Sequence, residues 1–212
     1  MPRPKPRLRG IPHLVGALFA VPFVWLLLDS IRNEAFILAG QIYGASLLAL
    51  LTTSATYHTP YWSKPIRARL RSVDHAMIYT LIGGSYVPFI VVLDQNVPSW
   101  LPHVVGVGCG VGVLQSVFWA GAPRVMRTAA YLVLGYVATT LVPAMYQHLG
   151  MDVVLLVLTG GLFYTIGAVV YAKRYPNPNP LVFGYHEVFH CLVNLAMVCH
   201  YAAIWCILVE AS

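Results

Sequence analysis

The sequence predicts an all-α, polytopic membrane protein, a bundle of seven transmembrane helices with a cytoplasmic N-terminus. Of its 212 residues, 58% are hydrophobic and only 9% are charged, whereas a soluble domain carries about 25% charged residues. The apolar residues form seven stretches, each close to the roughly 20 residues that a helix needs to cross a bilayer. This composition argues against a soluble enzyme, a disordered chain or a nucleic-acid binder, despite the net charge of +6.

The seven spans follow one another with short loops between them. They are predicted at residues 12–28, 36–57, 74–93, 101–120, 129–147, 153–172 and 185–209. None shows the alternating polarity of an outer-membrane barrel strand. Because these spans use most of the chain, we expect one domain over residues 1–212, with residues 1–11 as a short basic cytoplasmic tail.

The orientation follows from the basic residues, which concentrate in cytoplasmic loops of membrane proteins. All but Arg32 of the 13 basic residues lie in the N-terminal tail or in the second, fourth and sixth loops. They are Arg3, Lys5, Arg7, Arg9, Lys64, Arg67, Arg69, Arg71, Arg124, Arg127, Lys173 and Arg174. The N-terminus is therefore expected in the cytoplasm and the C-terminus outside, in a bacterial inner membrane.

Acidic residues follow the opposite distribution, with two exceptions. Asp29, Glu34, Asp94, Asp152 and Glu210 fall on the predicted external side, and only Asp74 and Glu187 fall on the cytoplasmic side. Both exceptions lie close to histidines at the ends of spans.

Small residues within the spans have structural explanations. The four cysteines lack the paired spacing of a disulfide framework or a thiolate zinc site, so they are interpreted as buried packing residues. Glycines permit close approach of helices in a membrane. This role is expected for Gly83, Gly84, Gly106, Gly108, Gly110 and Gly112.

Polar side chains at the ends of three spans are candidates for a functional site, because such groups are costly in a bilayer. Ser54 and His58 are four residues apart at the end of span two, and Asp74 is predicted to begin span three. His186 and His190 open span seven with the same spacing, which places each pair on one helical face. Asn194 continues the face of span seven one turn further in.

The predicted topology puts these residues at one depth, at the cytoplasmic side. Three histidines can hold a catalytic zinc ion while leaving a fourth position for water. We therefore predict His58, His186 and His190 as zinc ligands. Asp74 is the candidate for proton transfer, and Ser54 is a candidate hydrogen-bond donor to the reacting water or to a developing oxyanion.

Other histidines have simpler interpretations. His13, His103 and His148 are expected to be solvated residues at the membrane interface. His75 points away from Asp74 and is expected to pair with a neighbour, and His200 is expected to pack in the core.

Residues 186–190 also fit the pattern H-E-x-x-H, in which two histidines bind zinc and the glutamate is a general base. An intramembrane metalloprotease is therefore an alternative, in which Glu187 would take the place of Asp74. Against it, the pattern is short and no candidate segment supplies a third ligand of the kind such proteases use.

The combination of motifs resembles the hemolysin III family, the bacterial branch of the progestin and adiponectin receptor superfamily. The motifs are SATYH at residues 54–58, DHAMIYTLIGGSYVPF at residues 74–89, and HEVFH at residues 186–190 followed by Asn194. The resemblance implies seven spans, the same three zinc ligands, and Ser54 and Asp74 beside the metal. Because superfamily relatives include ceramidases, it also implies hydrolysis of a lipid amide.

Two functions from different classes follow. One is a zinc-dependent hydrolase that acts on a lipid amide, as a ceramidase does, or on a related acyl bond. The alternative is a non-enzymatic membrane-homeostasis or receptor-like protein with structural zinc, or a cytolytic protein of the hemolysin type. In each case the partner is a membrane lipid, as substrate or ligand.

Overall fold

The computed structural model describes residues 5–119 and 121–210, in which all regular structure is helical apart from one isolated β-bridge. It contains eight α-helices, which form seven spans. They are α1 (Ile11–Ser30), α2 (Glu34–His58), α3 (Lys64–Leu93), α4 (Leu101–Phe118), α5 (Arg124–Tyr136), α6 (Val142–His148), α7 (Met151–Lys173) and α8 (Tyr185–Trp205). A π-helical turn, Cys206–Glu210, extends α8.

Within residues 5–119 and 121–210, seven segments are long and apolar enough to cross a membrane, which agrees with the predicted number of spans. Their lipid-facing surfaces are rich in exposed apolar side chains, such as Leu18 (68% exposed), Val107 (67%) and Val198 (65%). A soluble protein rarely exposes apolar patches of this extent. Arg3, Ala120 and the side chain of Glu210 lie outside the described residues, and the side of the membrane that each end faces stays a prediction.

The start of α3 differs from the prediction. The helix begins at Lys64, ten residues before the predicted start at Asp74. Hydropathy detects only the apolar part of a helix, whereas lysine and arginine extend helices well and Pro65 is favourable in a first turn. Asp74 therefore lies in the third turn of a long helix, with a basic stretch ahead of it.

The fifth span is interrupted in its middle. A 3₁₀ segment, Val137–Leu141, separates α5 from α6. Pro143 follows in the first turn of α6 and cannot donate a backbone hydrogen bond. The hydroxyls of Thr139 and Thr140 donate to the carbonyls of Tyr136 and Val137, which satisfies backbone groups that the interruption releases.

Close helix packing at small residues holds the bundle together. Gly84 of α3 contacts Ser46 of α2, and Gly112 of α4 contacts Tyr79 of α3. The packing prediction is therefore confirmed for these two glycines, and also for Gly83 and Gly108, which lie against Cys109 and Leu134. It is wrong for Gly106 and Gly110, which have nothing within 4 Å of an added Cβ. All four cysteines are free, as predicted, but they are half-buried rather than fully buried.

The termini of the helices define the end of the bundle that carries the functional candidates. We call this the basic end: it comprises residues 5–10, which we call the N-terminal segment, the α2–α3, α4–α5 and α7–α8 loops, and the lysines and arginines in the helix ends beside them. The end of α2 and the starts of α3 and α8 all lie there.

The α2–α3 contact provides a test of the packing. In Gly84→Val, the new side chain has no room against Ser46, so we expect a loss of about 1–3 kcal/mol in the free energy of unfolding. The midpoint of thermal unfolding in detergent measures this loss. Gly106→Val is the matched control, because it makes the same change in a helix with open space around it. Equal midpoints for the two variants would contradict the packing described here.

Candidate metal centre

Three histidines converge at the basic end of the bundle. His58 is the last residue of α2, and His186 and His190 lie one turn apart at the start of α8. One ring nitrogen from each lies within 4.8 Å of the others, and the Nε2 atoms of His58 and His186 are 3.2 Å apart. The structure thus brings together the three residues that the sequence predicted as ligands, although they are separated by up to 132 positions in the chain.

The arrangement fits a bound metal ion. A single proton shared between two imidazoles would explain the contact between His58 and His186, but not the approach of a third ring. Nitrogen ligands of tetrahedral zinc, at about 2.0–2.1 Å from the metal, lie roughly 3.4 Å from one another, close to the 3.2 Å observed. His190 is 2% exposed and its Nδ1 has no hydrogen-bond partner. These three residues could hold a metal ion, and imidazole nitrogens suit zinc, copper, iron or nickel.

A carboxylate and a hydroxyl lie beside the histidines. Oδ2 of Asp74 is 3.9 Å from Nε2 of His58. Ser54 lies one turn deeper than His58 on α2 and is 3% exposed, and its side chain interacts with the carboxyl group of Asp74. The sequence predicted both residues at this level, and the structure places both there.

His13 is a fourth histidine at the site, and its predicted place at the solvated interface is wrong. It is 4% exposed, and its ring stacks on that of His190 with centroids 3.7 Å apart and planes at 19°. Neither ring nitrogen of His13 has a hydrogen-bond partner among the described residues. The prediction failed because it judged His13 alone. The predicted topology starts α1 and α8 at the same end of the bundle, and this information could have indicated that His13 lies near His190.

Asn194 connects the same two helices. Its side-chain amide donates to the carbonyl of Pro12 at 2.8 Å. This bond fastens α8 to the first turn of α1, one turn below His190. Asn194 was predicted to lie on the same face of this helix as His186 and His190. At this position that face packs α8 against α1.

Glu187 does not act as the H-E-x-x-H alternative requires. Its Oε2 accepts a hydrogen bond from the backbone of Gly184 at 2.8 Å, and its Oε1 pairs with Nε of Arg9 at 2.9 Å. It is 1% exposed. Both oxygens are thus engaged in capping α8 and in holding the N-terminal segment, which leaves Asp74 as the carboxylate beside the histidines.

The N-terminal segment crosses the site at the basic end. The Lys5 ammonium donates to the carbonyls of Thr59 and Pro60, and the backbones of Arg7 and Leu8 donate to the α7–α8 loop. Gly10 has a φ of +87° and packs against His58, where a side chain would collide. The segment therefore links the end of α2 to the loop before α8 and fixes the distance between His58 and His186.

His75 and His200 lie outside the histidine group. Nδ1 of His75 is 3.0 Å from a guanidinium nitrogen of Arg127, a pairing of the kind expected from the sequence. The His200 ring meets Tyr164 edge-on, with centroids 5.5 Å apart, and contacts Gly160. His103 and His148 are exposed, as predicted.

A cavity of about 1320 Å³ begins at the histidines and extends into the bundle. Its upper wall holds the histidines, Ser54 and Asp74, and its deeper wall is mainly apolar, with Ile78, Leu81 and Phe89 among its residues. Apolar residues on the outer surface of α7 also line it. They are Leu158 and Leu162, which are 45% and 58% exposed. The cavity thus reaches the surface that faces lipid.

Comparison with known proteins agrees with this architecture. The model of the haemolysin-III-related family matches residues 1–201. The chain belongs to the haemolysin-III-related family. The resemblance predicted from the motifs is thereby confirmed.

Similar proteins occur in bacteria and in animals. The chain is 27% identical to the hemolysin-3 homolog of Bacillus subtilis, over 87% of this chain and 85% of that protein. It is 24% identical to hemolysin-3 of Bacillus cereus, over 76% of this chain and 75% of the relative. It is also 26% identical to the human monocyte to macrophage differentiation factor, a member of the progestin and adiponectin receptor superfamily, over 77% of this chain and 68% of that protein.

The histidine group predicts the metal content of the purified protein. His58→Ala, His186→Ala and His190→Ala each remove one of three converging ligands, so each variant should lose most of its bound metal. Elemental analysis of detergent-purified protein measures this directly. His103→Ala, which alters an exposed histidine, should keep the content of the unaltered protein. Equal metal in all four variants would rule out the site.

The role of Glu187 predicts a stability effect. In Glu187→Ala, the helix cap is lost and Arg9 is left without its partner, which should lower the free energy of unfolding by about 2–4 kcal/mol. Glu34→Ala is the control, because Glu34 also lies in a helix first turn but is exposed. It should cost about 0.5 kcal/mol or less. A Glu187→Ala protein with unchanged stability would contradict the capping role.

Proposed function

We propose that this chain is a zinc-dependent hydrolase of the membrane, which cleaves an acyl bond of a lipid, such as the amide of a ceramide. The observation that carries the proposal is the combination of three converging histidines, Asp74 and Ser54 at the head of a cavity that reaches the lipid-facing surface. A purely structural metal site does not need a carboxylate beside the ligands, nor a cavity of lipid dimensions.

His58, His186 and His190 would hold the zinc ion. When bound, zinc supplies Lewis acidity, which polarises a carbonyl group and lowers the pKa of water. The stacked ring of His13 and the hydrogen bonds of Glu187 keep His190 and the start of α8 in place. The protein therefore provides a preorganised set of ligands with support from two other segments.

Asp74 would carry the proton. Its Oδ2 accepts a proton from the water that attacks the carbonyl carbon, and it then delivers this proton to the nitrogen of the departing amine. The hydroxyl of Ser54, which neighbours this carboxyl, has one proton to share and would donate it to the reacting water or to the developing oxyanion. These two roles are those predicted from the sequence.

The lipid would enter sideways from the bilayer. Leu158, Leu162 and Tyr136 line the cavity and are also exposed on the outer surface, between α5 and α7. The apolar deeper wall accepts an acyl chain and keeps water away from it. The basic end, with the site, faces the cytoplasm in the proposed orientation, and the protein resides in the bacterial inner membrane.

A second candidate is a metal that only ties helices together. The ligands come from α2 and α8, whose main packing partners are other helices: α1 and α3 for α2, and α7 for α8. A metal would add a link that packing does not provide. In that case removal of the metal lowers the unfolding temperature, while no lipid is hydrolysed with or without it. Cytolysis by a hemolysin-type action stays a prediction from the family resemblance.

The proposal predicts separate effects on metal binding and turnover. Asp74→Asn removes the proton acceptor but no ligand, so zinc should remain while lipid hydrolysis falls by about 10²-fold or more. Ser54→Ala should lower turnover by roughly 10²-fold. Release of fatty acid from ceramide, together with zinc content, measures both effects. Asp152→Asn, an exposed change at the start of α7, should leave both unchanged. Full turnover in Asp74→Asn would reject the catalytic assignment.

A further inference from the structure

The mouth of the cavity at the basic end is strongly cationic. Seven of the residues that line the cavity are lysine or arginine, and Asp74 is the only carboxylate among its described lining residues. Burial lowers the pKa of Lys5, and the nearby charges of Arg67 and Arg9 lower it further. Like charges are therefore held together here at an energetic cost, which a bound anion would relieve.

A preference for basic residues in cytoplasmic loops does not explain this arrangement. Arg67, Arg69 and Arg71 follow one another at the start of α3, but only Arg67 and Arg71 line the cavity. All three side chains are exposed, but Arg67 and Arg71 are four residues apart and share a helical face, whereas Arg69 lies on another face, away from the cavity. All three arginines satisfy the preference for basic residues on the cytoplasmic side equally well. That preference therefore does not explain why two of them line the cavity.

Arg124 at the start of α5 completes the mouth and is held in position by aromatic residues. Its guanidinium lies 4.7 Å from the centre of the Tyr171 ring and 5.9 Å from that of Tyr185, and it donates to the carbonyl of Tyr171 at 3.3 Å. It is half-buried and lines the cavity. A guanidinium fixed in this way loses little entropy when it binds an anion.

The residues of α3 that line the cavity lie at successive depths along the helix axis. Arg71 lies about 4.5 Å above Asp74 along the helix axis, and Phe89 lies about 22 Å below it. Between Asp74 and Phe89 the face is mainly apolar and includes Ile78 and Ile82. A molecule that fills the cavity would therefore place a charge at the arginines, a bond at the level of the histidines and a long apolar chain below.

We propose that the cationic mouth, formed by Arg67, Arg71 and Arg124, binds the phosphate of an acyl lipid whose chain occupies the cavity. Phosphate fits better than carboxylate, because it offers three oxygens and a larger charge to guanidinium groups that come from two helices. The inference rests on the proposed function for the position of the lipid, and it specifies the substrate class as phosphate-bearing acyl lipids.

The test compares two lipids that differ only in the phosphate, ceramide 1-phosphate and ceramide with the same acyl chain. Binding to purified protein in nanodiscs should be at least about tenfold tighter for the phosphorylated lipid. Arg71→Gln and Arg124→Gln should each remove about tenfold of this affinity, and Arg69→Gln should remove none. Metal content and a single peak in size exclusion show that each variant is folded. Equal binding of the two lipids, or an equal loss in Arg69→Gln, would overturn the inference.

Inorganic phosphate separates a lipid headgroup from a free anion. If the lipid is the ligand, millimolar inorganic phosphate should displace ceramide 1-phosphate only weakly, because it lacks the acyl chain. Displacement by inorganic phosphate at the concentration of the lipid itself would overturn the assignment to a lipid.

Hydrolysis of the same two lipids distinguishes this inference from the proposed function. Phosphate-selective binding without hydrolysis of either lipid would support the cationic mouth and reject the hydrolase. Equal hydrolysis of both lipids, unchanged in Arg71→Gln, would support the hydrolase and reject the phosphate site.

Discussion

The ring nitrogens of His58 and His186 face each other 3.2 Å apart, where the last residue of α2 meets the first turn of α8. Two ring nitrogens at this distance need a proton or a cation between them, and a proton shared by these two rings gives no reason for the approach of His190. The surrounding structure maintains this contact. The N-terminal segment links the end of α2 to the loop before α8, Glu187 caps α8 while pairing with Arg9, and His13 stacks on His190.

A second feature is the separation of polarity along the bundle. Lysine and arginine gather at one end, the histidines and Asp74 lie just inside it, and the apolar part of the cavity lies beyond them. This order corresponds to that of an amphiphilic lipid, with a charged head, a polar linkage and an apolar chain. In a bilayer each polar side chain requires a partner or a function. The low content of charged residues therefore makes their positions informative.

Much of the fold could be predicted because the bilayer imposes simple rules on the sequence. Span number followed from the length of apolar runs, and the common level of Ser54, His58, Asp74, His186 and His190 followed from counting crossings. The rest required side-chain environments that one span does not reveal. Hydropathy did not detect the first turns of α3, because these turns are basic rather than apolar. The burial of His13 was not predicted, because the sequence around a single histidine at the start of a span is the same whether the side chain faces water or α8.

The sequence by itself determined the family, the seven spans and the residues available for a metal site, since hydrophobic length and local spacing are properties of the chain alone. Only the tertiary structure decided which of those residues meet. It assigned Glu187 to a cap and an ion pair rather than to the site, brought His13 to His190, and turned Arg67 and Arg71 toward the cavity while Arg69 faces outward. The physical reason is that these outcomes depend on which helix faces pack together, and packing is decided by contacts between residues far apart in the chain.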